Sequence, residues 1–146
     1  MNDGEIYEGD WENNKKNGKG KTTYPNGDIY EGDFKNGLPN GKGIIKWING
    51  TIYEGEMKDD KMSGKGAFKY PNGDIYEGDF ENDKNEGFGK KTYIDGKIES
   101  GYWENDEYIK DYRDDYPFSL KCIKTLNNHS KTVSKFIAIK RWKVII

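Results

Sequence analysis

One cysteine, Cys122, and one histidine, His129, are all that 146 residues offer of those types, and neither has a spaced partner set around it. An internal disulfide is excluded, a reducing compartment is the natural setting, and neither a zinc cluster nor a Cys/His pair is indicated. Aliphatic residues are few, and no run approaches the roughly 20 apolar residues that a membrane helix needs. The opening MNDGEIYEGD has neither a basic leader nor an apolar stretch, so the chain reads as soluble and intracellular. Acid is missing from the C-terminal end: residues 1–116 hold all 26 acids against 17 Lys or Arg, whereas 117–146 carry seven Lys or Arg and no acid. The chain is an acidic body with a basic tail.

What is abundant is glycine and aromatic side chains, with 19 Gly, 11 Tyr, six Phe and four Trp in a chain that is 34% charged. So polar a chain stays disordered if its apolar groups are scattered, because ordering the backbone costs about 1–2 kcal/mol per residue. Folding has to come from regular placement. Stepping by 23 residues aligns Ile6, Ile29, Ile52, Ile75 and Ile98, and likewise Gly9, Gly32, Gly55, Gly78 and Gly101. Paired glycines follow at Gly18 and Gly20, Gly41 and Gly43, Gly64 and Gly66, Gly87 and Gly89. A fixed period of this length marks a repeat architecture.

Each unit reads as two short strands, residues 6–11 and 18–24 in the first copy. Pro25-Asn26-Gly27-Asp28 forms a turn between units, and residues 12–17 are expected to be a looser polar connection. Side-chain alternation places Tyr7, Gly9 and Trp11 on one face with Gly18, Gly20 and Tyr24, and Glu8, Asp10, Lys19 and Lys21 on the other. The aromatic face continues through Tyr30, Phe34, Trp47, Tyr53, Tyr70, Tyr76, Phe80 and Tyr93. The expected fold is all-β, an elongated antiparallel sheet of tandem β-hairpins spanning roughly 45 Å over ten strands. Four complete repeats and a partial fifth occupy 1–103, followed by an acidic linker at 104–116 and a basic apolar tail at 117–146.

The segments Tyr30-Glu31-Gly32-Asp33-Phe34, Gly41-Lys42-Gly43 and Trp47-Ile48-Asn49-Gly50 resemble the consensus of the MORN (membrane occupation and recognition nexus) repeat family. The resemblance implies extended, twisted sheets of hairpins that serve as interaction and scaffolding segments at membranes and cytoskeletal structures. In some relatives they precede a catalytic domain such as a lipid kinase. Lipid binding and dimerisation through terminal repeats are also implied. Met57, Phe88 and Glu99-Ser100 depart from the pattern, and the fifth copy is degenerate.

Gly18-Lys19-Gly20-Lys21-Thr22 contains Gly-Lys-Thr, but a Walker loop needs glycine where Lys15 stands, and the segment recurs as repeat framework. The acids recur with the period and have lysine partners across the ladder, which suits surface charge better than a general acid/base pair. No cofactor, no metal and no catalysis are expected. The aromatic residues Tyr7, Trp11, Tyr24, Tyr30, Phe34, Trp47, Tyr53, Tyr70, Tyr76, Phe80 and Tyr93 have two readings, as a thin core and as an open partner-binding groove. In the tail, Lys135, Lys140, Arg141, Trp142 and Lys143 fit an anionic bilayer or packing against the array; nucleic acid is not expected.

Three functions follow: a non-catalytic scaffold or protein-interaction module, a peripheral module binding anionic phospholipid, or the regulatory segment of a larger enzyme such as a phosphatidylinositol phosphate kinase. The expected setting is the cytoplasm, peripheral to a membrane or the cytoskeleton. A homodimer formed over the terminal sheet edge, or an edge covered by 104–146, is a further expectation.

Overall fold

The computed structural model describes residues 4–109, which form one open ten-stranded antiparallel sheet whose strands follow chain order. The strands are β1 (Ile6–Glu12), β2 (Lys15–Thr23), β3 (Ile29–Lys35), β4 (Leu38–Lys46), β5 (Ile52–Lys58), β6 (Lys61–Lys69), β7 (Ile75–Glu81), β8 (Lys84–Thr92), β9 (Ile98–Glu104) and β10 (Glu107–Ile109). Strand pairing runs past the expected array boundary at 103: Tyr108 pairs with Trp103 and packs beside it, closing the last hairpin. Residues 110–146, with the rest of the expected linker and the tail, lie outside the described residues.

The connection at 12–17 is not loose. β1 continues to Glu12 and β2 starts at Lys15, leaving a two-residue turn in which Asn13 and Asn14 have φ of 49° and 59°. Asp59-Asp60, Asn82-Asp83 and Asn105-Asp106 repeat it, and Asn36 is followed by Gly37. Asn and Asp tolerate the left-handed region, and paired positive φ matches the twist of the flanking strands, so these dipeptides set the hairpin register. Successive turns are stitched together. The Asp83 and Asp106 carboxylates accept the Met62 and Asn85 backbone N–H groups, each at 2.8 Å.

The turns on the opposite edge alternate in a way the 23-residue period hides. Asp28 and Asp74 accept the backbone N–H of Ile48 and Ile94 in the following turn, each at 3.0 Å. In the intervening step the residue facing that donor position is Pro71, which has no N–H, and Thr51 stands where an Asp would have capped it. The turn chemistry therefore repeats every two hairpins.

Each repeat also carries a bulge. Register shifts between Gly9 and Trp11, and equivalently in β3, β5 and β7, place Asp10, Asp33, Glu56 and Asp79 at the irregularity. The Asp33 carboxylate accepts the Lys42 N–H at 2.8 Å, and Asp10 and Asp79 bind the equivalent N–H groups at 3.0 Å. The bulge corrects one assignment: Gly18, expected over the aromatic layer, has φ +77°, and a Cβ there would meet Asp10 at 2.7 Å on the charged side.

The core lies on the aromatic face. The Tyr30, Tyr53 and Tyr76 hydroxyls donate to the carbonyls of Asp33, Glu56 and Asp79 at 2.8, 2.7 and 3.0 Å. That bond lays each ring across a pair of glycines, Tyr30 over Gly32 and Gly43 and Tyr53 over Gly55 and Gly66. Phe or Trp of the next repeat then meets it edge-on: Tyr7 with Phe34, Tyr53 with Phe80 and Tyr76 with Trp103, all at 5.1 Å between centroids. Met57 and Met62 fill the step where an aromatic is missing. Because each layer touches mainly its neighbours, stability sums along the array. A chain lacking residues 1–23 is expected to keep β-sheet circular dichroism with a lower denaturation midpoint; complete loss of the signal contradicts this modularity.

Burial pushes the Tyr53 hydroxyl up to about 12, and burial likewise raises Tyr30 and Tyr76, with the nearby Asp33 and Asp79 adding to it. Above the ordinary tyrosine value of about 10 the unfolded chain releases these protons while the native array retains them. Stability is therefore complete below about pH 10 and declines as pH rises beyond it. Urea midpoints should hold level from pH 8 to about 10 and fall beyond it, and Tyr53→Phe should reduce that slope; a slope unchanged by the substitution contradicts the assignment.

Candidate functional site

Packing on the aromatic face divides the eleven candidate aromatic residues. Tyr30, Phe34, Tyr53, Tyr76 and Phe80 are buried, at most 4% exposed, and so belong to the core and not to an open partner groove. Tyr7, Tyr24, Trp47, Tyr70 and Tyr93 are half-buried along its margins, and Trp11 is exposed at the first repeat. Tyr93 donates to Glu99 at 2.5 Å and Tyr70 accepts from Asn85 at 3.3 Å, so even the marginal hydroxyls have structural partners. The tail candidates Lys135, Lys140, Arg141, Trp142 and Lys143 lie outside the described residues.

The opposite face is organised in rows that run from strand to strand, because antiparallel pairing puts residues of like parity side by side. One row reads Lys19, Asp33, Lys42, Glu56, Lys65, Asp79 and ends in Phe88 and Tyr102. Lys19 pairs with Asp33 and Lys65 with Asp79, each at 2.5 Å, so this row largely neutralises itself. The Lys19 side chain, with the Lys42 N–H behind it, holds the Asp33 carboxyl below its ordinary range. A parallel row reads Glu8, Lys21, Glu31, Ile44, Glu54, Ala67, Glu77, Lys90. Here lysine alternation fails in the middle, and Ile44 and Ala67 take its place.

A third row brings Ile6, Ile29, Ile52, Ile75 and Ile98 to this same face, interleaved with Thr23, Lys46, Lys69 and Thr92. Ile6 is 62% exposed and Ile98 58%. The isoleucine column is visible in the sequence, and alternation from Tyr7 assigns it to the charged side. Between the first two rows, from β1 to β6, runs an open groove of about 790 Å³. The glycine-pair backbone is its floor and Glu8, Glu31, Glu54, Lys19, Lys42 and Lys65 are among its walls. No group of ligating side chains fit to hold a metal occurs among the described residues.

A single sheet whose one face is consumed by its own rings, while the other repeats a charged surface at fixed spacing, defines an open β-hairpin repeat array. The chain belongs to the MORN repeat family, whose model matches four consecutive segments, residues 7–29, 30–52, 53–75 and 76–98. Comparison with curated proteins gives no match. Membership makes the array a repeat module of a non-catalytic type, of the protein-interaction or membrane-associated kind.

Proposed function

We propose that this array is a non-catalytic scaffold that holds a protein partner along its charged face, acting in the cytoplasm at a membrane or cytoskeletal structure. The observation that carries this reading is the division of labour between the faces. Tyr30, Phe34, Tyr53, Tyr76 and Phe80 are closed into the core with further rings half-buried along its margins, and the opposite face offers a continuous groove with Ile44 between two acidic positions. Contiguous concave surface bearing both apolar and charged groups is what protein recognition uses.

A photoreactive amino acid at Ile44, in the groove, and at Asn49, on the turn edge, tests it in the source cell. The reading expects a discrete protein adduct from position 44 that is absent from position 49. Lack of any adduct from position 44, with sedimentation of the full chain on phosphatidylserine vesicles, overturns it in favour of peripheral lipid binding through the basic tail.

A further inference from the structure

We infer that the occupant of the charged face is a polyproline II segment carrying a cation at every third residue; this rests on the scaffold reading above and names its partner class. The first observation is the spacing. Glu8, Glu31 and Glu54 stand on alternate strands, β1, β3 and β5, so consecutive members of the column lie two strand spacings apart, about 9.6 Å. One turn of a polyproline II helix is three residues and about 9.3 Å, so such a segment laid along the array presents the same side once per repeat. Seven residues of α-helix advance about 10.5 Å and drift by about 1 Å per repeat. An extended strand covers the distance in three residues but turns every second cation away.

The second observation is charge. Among the described residues the Glu31 and Glu54 carboxylates have neither an ion pair nor a hydrogen bond: Lys21 stands opposite Glu31 without bridging it, and Ile44 and Ala67 take the next two positions where lysines would alternate. The facing row is neutralised by its own Lys19–Asp33 and Lys65–Asp79 pairs and sets Lys42 opposite Glu56, whereas Glu8, Glu31 and Glu54 have one lysine, Lys21, among them, so the excess charge of the groove is acidic and lies in the glutamate column. The third lies beyond the groove, on β8 and β9, where the row that forms its far wall ends. There Phe88 replaces the lysine of the earlier repeats, is 52% exposed, and meets Tyr102 edge-on at 5.6 Å. Exposed aromatic pairs are the surface on which prolyl rings pack. A polyproline II helix has no internal hydrogen bonds to break when it follows a twisted sheet.

The probe is a fluorescent peptide of Lys-Pro-Pro repeated five times, titrated against the full chain by anisotropy. Its control is a peptide of identical composition with all lysines in one block. The periodic peptide is expected to bind about tenfold more tightly than the block peptide. Glu31→Lys with Glu54→Lys should abolish that preference, and Phe88→Lys, which restores the residue of the other repeats, should weaken binding several-fold with circular dichroism unchanged. Equal binding of the two peptides, or a preference that survives the double substitution, overturns the inference. If it fails while the adduct from position 44 still forms, only the occupant's conformation is wrong; if that adduct is also absent, the groove itself is misassigned.

Discussion

Gly43→Val should lower the stability of the array by about 3 kcal/mol, at the upper end of what overpacking usually costs. A Cβ on Gly43 falls on the Tyr30 ring, which is 1% exposed and cannot withdraw. Its hydroxyl is held by the Asp33 carbonyl at 2.8 Å, and the Phe34 ring meets it edge-on at 5.0 Å. Valine must therefore displace the ring, break that hydrogen bond and loosen the neighbouring contact together. Lys42→Val, one residue away, points a β-branched side chain at solvent and should shift stability by no more than about 0.5 kcal/mol. Urea midpoints of the two variants check this, and equal shifts would mean that the two faces are assigned the wrong way round.

Tyr53→Ala should cost about 3–5 kcal/mol, the range for deleting a large buried ring. Tyr53 is fully buried, its ring covers Gly55 and Gly66, and it joins its own repeat to the next through Phe80 at 5.1 Å. Tyr53→Phe keeps the ring and loses only the bond to the Glu56 carbonyl, so about 1 kcal/mol is expected. The alanine variant should also break cooperativity. Each layer contacts mainly its neighbours, so β5 and β6 can open while the outer hairpins stay paired. Hydrogen exchange should show protection lost in β5 and β6 and retained in β1 to β3; uniform loss across all strands would contradict the layered core.

The repeat period, strand identity and fold class were legible because glycine, tyrosine and isoleucine columns recur without insertion. The hairpin turns were not, since Asn13-Asn14 and Asp59-Asp60 are ordinary polar pairs until both adopt positive φ. Gly18 lies on the face opposite to the one strict alternation gives it, because the bulge at Asp10 breaks that alternation. Whether the aromatic face is core or groove depends on ring orientation. That is fixed by the tyrosine hydroxyl bonding to a carbonyl three residues on, a contact that spacing alone does not reveal. Once the rings lie flat the charged face becomes the candidate site, and the gap in lysine alternation at Ile44 and Ala67, plain in the sequence, acquires a meaning.

The claim that everything else depends on is that tyrosine rings lie on the paired glycines and close the aromatic face. A double-mutant cycle of Tyr53→Ala and Gly66→Ala measures it directly, because a Cβ on Gly66 would stand 2.6 Å from Tyr53 Cε2. Gly66→Ala should be costly in the native background and nearly free once the ring is gone, giving a coupling energy of about 2 kcal/mol. Additive effects, with coupling below about 0.5 kcal/mol, would show that the ring does not rest on the glycine and would return the aromatic face to the surface.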